Sequence, residues 1–384
     1  MEYNRAMKIR TITVGFNLNP ETMETRIPKL GDFLKKARGV FEEIGYSVQT
    51  VRIATQPWGK YYVSERRMLE LAGKMDRLTE AVGIDYFNLG TTFKPDRIPL
   101  TYDLIRETFR GFCTATICDG EKINLKAAEQ TVKVIKKLSC VDPDGFANLR
   151  FAALFNTEPG SPFYPAAYHR GRTSFAIGLE NSDLVGDAFS GVRSPDEASR
   201  KLKRIMTRAY RKIEKIAESV SHDSGIQYDG IDVSVASSVN PHESIATGFE
   251  NMGLGIFGDP GTLTAAKVVT DTLRRIPVKR CGYSGLMLPV LEDDGLARRN
   301  REGRFGVTEL LLYSAVCGTG LDTIPLPGDV SEKKLYALLL DIASLAVKLN
   351  KPLSARLMPV PGKKAGRMTA FDFDYFVNTR IMRL

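Results

Sequence analysis

From Lys8 to Pro359 the chain alternates short runs rich in β-branched residues with longer stretches whose apolar residues recur at helical spacing. "KIRTITVGF" (Lys8–Phe16) reads as a strand, and a helical face of Leu30, Phe33, Leu34, Ala37, Val40 and Phe41 follows it. The rhythm continues through "SVQTVRIAT", "IDYFNLGTT", "FCTATI", "NLRFAALFN", "TSFAIGLE", "IDVSVASS", "SGLMLPV", "LDTIPL" and "LSARLMP". A parallel strand needs a crossover connection and a helix supplies one, so strands that alternate with helices pair mostly in parallel. About ten such strands in one series favour a closed sheet over an open one of that width. The expected fold is therefore α/β, a closed barrel of about ten mostly parallel strands surrounded by helices. No linker or shift in composition divides it, so residues 1–384 read as a single α/β barrel domain.

No stretch approaches the roughly 20 consecutive apolar residues that cross a bilayer. The first residues, "MEYNRAMKIRTITVGF", lack the apolar centre of a signal peptide, so no membrane partner and a cytoplasmic location are expected. The five cysteines, at 113, 118, 140, 281 and 317, are odd in number and show no C-x-x-C spacing. With only three histidines beside them, neither a disulfide framework nor a zinc site is expected. The net charge of +9 raises the question of nucleic acid. Many of the cations fall in "SRKLKRIMTRAYRKIEK" (Ser199–Lys215), where Leu202, Ile205, Met206, Tyr210 and Ile213 mark one helical face. The cations then occupy the solvated face, and no aromatic residues interleave with them as stacking platforms. Nucleic acid is not an expected partner. A small anionic molecule is, and assembly into a homo-oligomer stays open.

No G-x-G-x-x-G follows the first strand, and no Walker spacing, G-x-S-x-G or H-E-x-x-H occurs, so the cofactor is unknown. "IRTITVGF", "PFYPAAYHRG", "IDVSVASS", "ESIATGFENMG", "GTLTAAKVV", "SGLMLPVLEDDGLA" and "CGTGLDTIPLPGD" stand in this order along the chain. Together they resemble the DUF711 or UPF0210 family over nearly the whole length. That resemblance implies a ten-stranded α/β barrel of the pyruvate formate-lyase type and leaves the reaction open. Radical enzymes of that type carry Arg-Val-x-Gly-Tyr near the C-terminus. Here "RCGYSG" (Arg280–Gly285) is one residue short and far from the end, and "FDFDYFVNTRIMRL" contains no glycine. A non-radical chemistry is expected, with Gly282 and Gly285 forming a turn into a strand.

His169 stands in the proline- and aromatic-rich loop "PFYPAAYHRGR" and is a candidate acid or base, or else a ring that ties the loop to a backbone carbonyl. Cys317, followed by Gly318, Gly320 and Asp322, is a candidate nucleophile if a cation lowers its pKa, or a buried packing residue. Asp232 and Asp322 interrupt apolar strands as ligand-binding carboxylates, metal ligands or caps. Gly258, Gly261 and Thr262 precede a helix whose first N–H groups suit an anion, unless Thr262 only caps it. Arg170, Arg356 and Lys363 supply positive charge on loops and at a strand end. Glu292, Asp293 and Asp294 read as the acidic start of a helix. The expectation is an enzyme of unassigned reaction, with His169 and Cys317 catalytic over a small anionic metabolite in the barrel mouth. The alternative is a binding or regulatory protein that uses the same cavity without turnover.

Overall fold

Ile9, Thr11, Ile12, Thr13 and Val14 are stiff at χ1 and pack well on a pleated surface, which makes Lys8–Phe16 a strand. The structure, a computed structural model that describes residues 7–384, builds one sheet of ten strands around it. They are β1 (Lys8–Phe16), β2 (Ser47–Thr55), β3 (Tyr86–Thr92), β4 (Gly111–Asp119), β5 (Lys122–Ile123), β6 (Phe151–Phe155), β7 (Ser174–Glu180), β8 (Gln227–Asp232), β9 (Gly320–Pro327) and β10 (Leu353–Val360). The order is β8-β7-β1-β2-β3-β4-β6-β10-β9, and β5 pairs with β4 alone.

Most neighbours are parallel, as helical crossovers require, but two main joints are antiparallel: β1 with β7 and β6 with β10. The sheet therefore consists of a parallel block β1-β2-β3-β4-β6, flanked by β7-β8 and β10-β9 running the other way. The ladders leave β8 and β9 at the two ends of this path. Between them runs the segment 279–290, whose second part, "SGLMLPV" (284–290), reads as a strand in the sequence but which makes only isolated parallel bridges. Arg280 bridges Ile231 and Leu286 bridges Val235 on the β8 side, and Pro289 bridges Asp322 on β9. Pro289 has no N–H to give to a ladder, and Gly282 and Ser284 turn with positive φ.

The helices carry out their predicted alternation. Pro195–Ser224 begins on Ser194, whose hydroxyl accepts from the Glu197 N–H, and it buries Leu202, Met206, Tyr210 and Ile213 while its cations face outward. Ser182–Phe189 is a further helix not anticipated from the sequence, too short to show a clear period.

The two faces of the sheet differ. Ile12, Val14, Val51, Ile53, Phe87 and Cys113 join the helices in one continuous apolar core. The other face meets the loop between β6 and β7. Thr13 donates to the Pro162 carbonyl at 2.8 Å, Tyr164 to the carbonyl of Ile53, and the His169 N–H to that of Thr55 at 2.9 Å. Small clusters form there around Tyr164, Ala166 and Phe163. A parallel sheet usually carries helices on both faces. Here a loop covers the second face only in part.

Candidate functional site

Side chains alternate between the faces of a strand, so Thr50 and Arg52 on β2, Tyr86 on β3, and Ser354 and Arg356 on β10 project to the helix-free side. With the loop residues Phe163–Ala166 they enclose a cavity of about 280 Å³. Its charged lining comprises Arg10, Arg52 and Arg356 against Asp85, Glu292 and Asp322.

Most of these charges are spent on one another. Arg356 donates through Nε to Asp322 Oδ1 and through Nη2 to Glu292 Oε1, both at 2.6 Å. Arg10 donates to Glu292 Oε2 and to Glu180 Oε2, both at 2.9 Å. Burial disfavours the Arg356 cation, but Asp322 and Glu292 outweigh it and hold its pKa above the ordinary range. Asp85 accepts from Arg38 at 3.0 Å and from the Val51 N–H at 2.7 Å.

Arg52 differs. It is 9% exposed, and Nε donates to Thr50 at 2.9 Å, but Nη1 and Nη2 donate to nothing among the described residues. The guanidinium lies 5.0 Å from the Tyr164 ring centre and 5.6 Å from that of Tyr86. These contacts ease the burial of a cation without neutralising it. Burial first, and then the charge of Arg10, push its pKa down to about 10. Burial also raises Tyr283 to about 12, which leaves it a neutral phenol at the cavity wall.

Of the residues singled out by sequence, Asp322 and Arg356 line this cavity, and Thr319 between Gly318 and Gly320 does too. Gly318 packs against the backbone of Gly285, and Gly320 takes φ +92° beside the Ser354 carbonyl, so both serve close strand packing. The loop 157–172 reaches the cavity through Phe163, Tyr164, Pro165 and Ala166, whereas His169 lies at its far end. There Gly15 makes room for the buried imidazole, whose Nε2 is 3.2 Å from the Gly171 carbonyl. Cys317 is fully buried in the apolar core, and Lys351 donates to its carbonyl. Neither His169 nor Cys317 lines the cavity.

Asp232 is buried under the turn of the 279–290 segment. It accepts from Ser234 N and Oγ, from the N–H groups of Tyr283 and Ser284, and from Ser161. Thr262 is consumed locally, accepting from the Gly258 N–H at 3.0 Å and donating to Asp259 at 2.9 Å. Gly258 and Gly261 take φ of +106° and +110° in that turn. Arg170 is exposed, and Lys363 donates to the Met368 carbonyl at 2.7 Å. None of these residues lines the cavity either. Among the described residues no cluster of His, Cys, Asp or Glu is placed to hold a metal ion, and no helix is long and apolar enough to cross a membrane.

Sequence reasoning passed over Arg10, Arg52, Tyr86 and Tyr164, and it read Glu292 as part of a helix start. Asp293 alone caps that helix, accepting from Leu296 at 2.8 Å. A signal did exist: Arg10 and Arg52 interrupt β-branched strands that should be apolar on both faces.

Taken together these features define a mostly parallel α/β sheet with a charged cavity on one face. The family model "Uncharacterised ACR (DUF711)" matches residues 1–372, and the chain belongs to that family. The UPF0210 protein of Pyrobaculum aerophilum is 32% identical over 94% of this chain and 87% of its own length. That of Methanopyrus kandleri is 26% identical over 94% and 88%. Among solved structures, an anaerobic ribonucleotide reductase aligns with a TM-score of 0.42 and 12% identity, over 98% of this chain and 75% of that one, a likeness too loose to transfer chemistry.

Proposed function

We propose that the protein is a cytoplasmic enzyme acting on a small anionic metabolite held in the central cavity by Arg52. The single observation behind this reading is a buried guanidinium with two donor nitrogens open to a cavity. An unpaired buried cation is costly, and an incoming carboxylate or phosphate relieves that cost with charge-assisted hydrogen bonds. The volume of about 280 Å³ lies at the small end of ligand pockets, which suits a small molecule. The barrel reading has its support in the 279–290 segment, which bonds to β8 on one side and β9 on the other and would complete the ring. A non-radical chemistry fits Gly282, which turns tightly against the Asp232 carboxylate. Proton transfer is the chemistry open to the neutral Tyr283 and the carboxylates of the wall.

One observation favours the rival, a binding protein without turnover: the cavity lining contains no histidine or cysteine. Mass spectrometry of small molecules extracted from the purified protein tests the common ground. An anion retained by the wild type and lost from Arg52→Met supports the reading, and equal retention by both removes it. Incubating the identified anion with the wild type then separates enzyme from binder by whether it is consumed.

A further inference from the structure

Resting on that reading, we infer that the ligand is a zwitterion of the α-amino acid class, its carboxylate on Arg52 and its ammonium group on Asp322. The cavity lining holds three cations and three carboxylates, so it is not a general trap for negative charge. What matters is which of them remain open. Glu292 has both oxygens engaged, one by Arg10 and one by Arg356. Asp85 takes both of its bonds, from Arg38 and from the Val51 N–H, on Oδ2, and it stands at the Arg52 end of the cavity, next to Tyr86, which pairs with Arg52. Asp322 gives only Oδ1 to Arg356, and its Oδ2 accepts no hydrogen bond among the described residues. Across the sheet from the open cation, the carboxylate oxygen left open is therefore that of Asp322.

Their positions give the pair a direction. Arg52 is on β2 and Asp322 on β9, five steps apart along β2-β3-β4-β6-β10-β9, so the two charges stand on separate walls of one cavity. Arg356 and Glu292 lie beside Asp322 as a bonded pair and hold its carboxylate in place. A dianion would meet Arg52 at one end and be repelled by Asp322 at the other. A simple carboxylate would satisfy Arg52 and leave Asp322 Oδ2 without a donor. An amino acid satisfies both and leaves the site neutral. The Tyr86 and Tyr164 rings, with Phe112, Phe163 and Met287, supply an apolar wall for its side chain.

The test compares the proteinogenic α-amino acids with their desamino carboxylic acids and with inorganic phosphate, by thermal shift and then calorimetry on the full chain. We expect at least one amino acid to bind more tightly than its desamino acid by about tenfold or more, the worth of one charge-assisted hydrogen bond. Asp322→Asn should erase that margin without weakening the desamino acid, and Arg52→Met should weaken both. If a desamino acid or phosphate binds as well as every amino acid, the zwitterion is wrong and the anion site stands. If no probe of any class binds, both fall. Should Asp322→Asn fail to fold, the wild-type margin decides alone.

Discussion

Gly285 and Gly318 meet backbone to backbone, so close that a Cβ on either would overlap the other's Cα. This contact lets the 279–290 segment lie against the start of β9, where Pro289 bridges Asp322 and positions the carboxylate at the cavity wall. Gly318→Ala must push the two segments apart. We expect a loss of about 1–3 kcal/mol in urea unfolding, typical of overpacking a tight site. An unchanged midpoint would show that the contact is dispensable.

Two of the three cavity arginines, Arg356 and Arg52, should respond to methionine in opposite ways. Arg356→Met leaves Asp322 as an unpaired carboxylate and Glu292 held by Arg10 alone, and should cost about 3–5 kcal/mol in the same experiment.

Arg52→Met removes a buried cation that has no ion pair and replaces it with an apolar chain between two tyrosine rings. The unliganded protein should become more stable by about 1 kcal/mol, as happens when a functional site loses a group kept at the expense of stability. A large destabilisation instead would make Arg52 structural.

Glu250 gives the clearest pH dependence. Burial works to raise its pKa, but paired bonds from Arg299 at 2.8 Å, with the Phe257 N–H and the charge of Arg298, leave it below the ordinary 4.5. A lowered carboxylate contributes stability that is present above 4.5 and lost as the pH falls through the folded value. Glu250→Gln should therefore cost about 1–2 kcal/mol at neutral pH, with the gap to wild type closing in acid. Unfolding curves at stepped pH would show it.

Thiol chemistry should follow burial. Cys113 is pushed up to about 12 and Cys118 to about 11 by desolvation, Cys317 is sealed in the core, and Cys140 is exposed. Of these four, iodoacetamide at mildly alkaline pH should label Cys140 in the native protein and Cys113, Cys118 and Cys317 only on unfolding. Rapid native labelling of Cys317 would restore it as a reactive residue.

The parts of the fold legible in the sequence were those a local pattern can carry. β-Branched runs and helical spacing located eight of the nine main strands to within a few residues, because burial imprints its period on each element separately; the ninth, β8, lies mostly before "IDVSVASS" and shares only Ile231 and Asp232 with it. Even the loop that reaches the cavity stood out by its prolines and aromatic residues. Which of its side chains would matter did not, since His169 and Tyr164 differ in direction and not in neighbourhood along the chain.

Strand order, the two antiparallel joints and the bridging role of residues 279–290 came only with the tertiary structure. These depend on hydrogen bonds between segments far apart in sequence, and no local pattern records a partner. The same holds for the charges. Arg10, Glu292, Arg356 and Asp322 form a connected set only because their strands converge on one face, and Arg52 is open because no carboxylate comes within hydrogen-bonding distance of it. Local sequence determines what each residue can do. The fold decides what it meets, because proximity across the sheet is set by packing the whole chain at once.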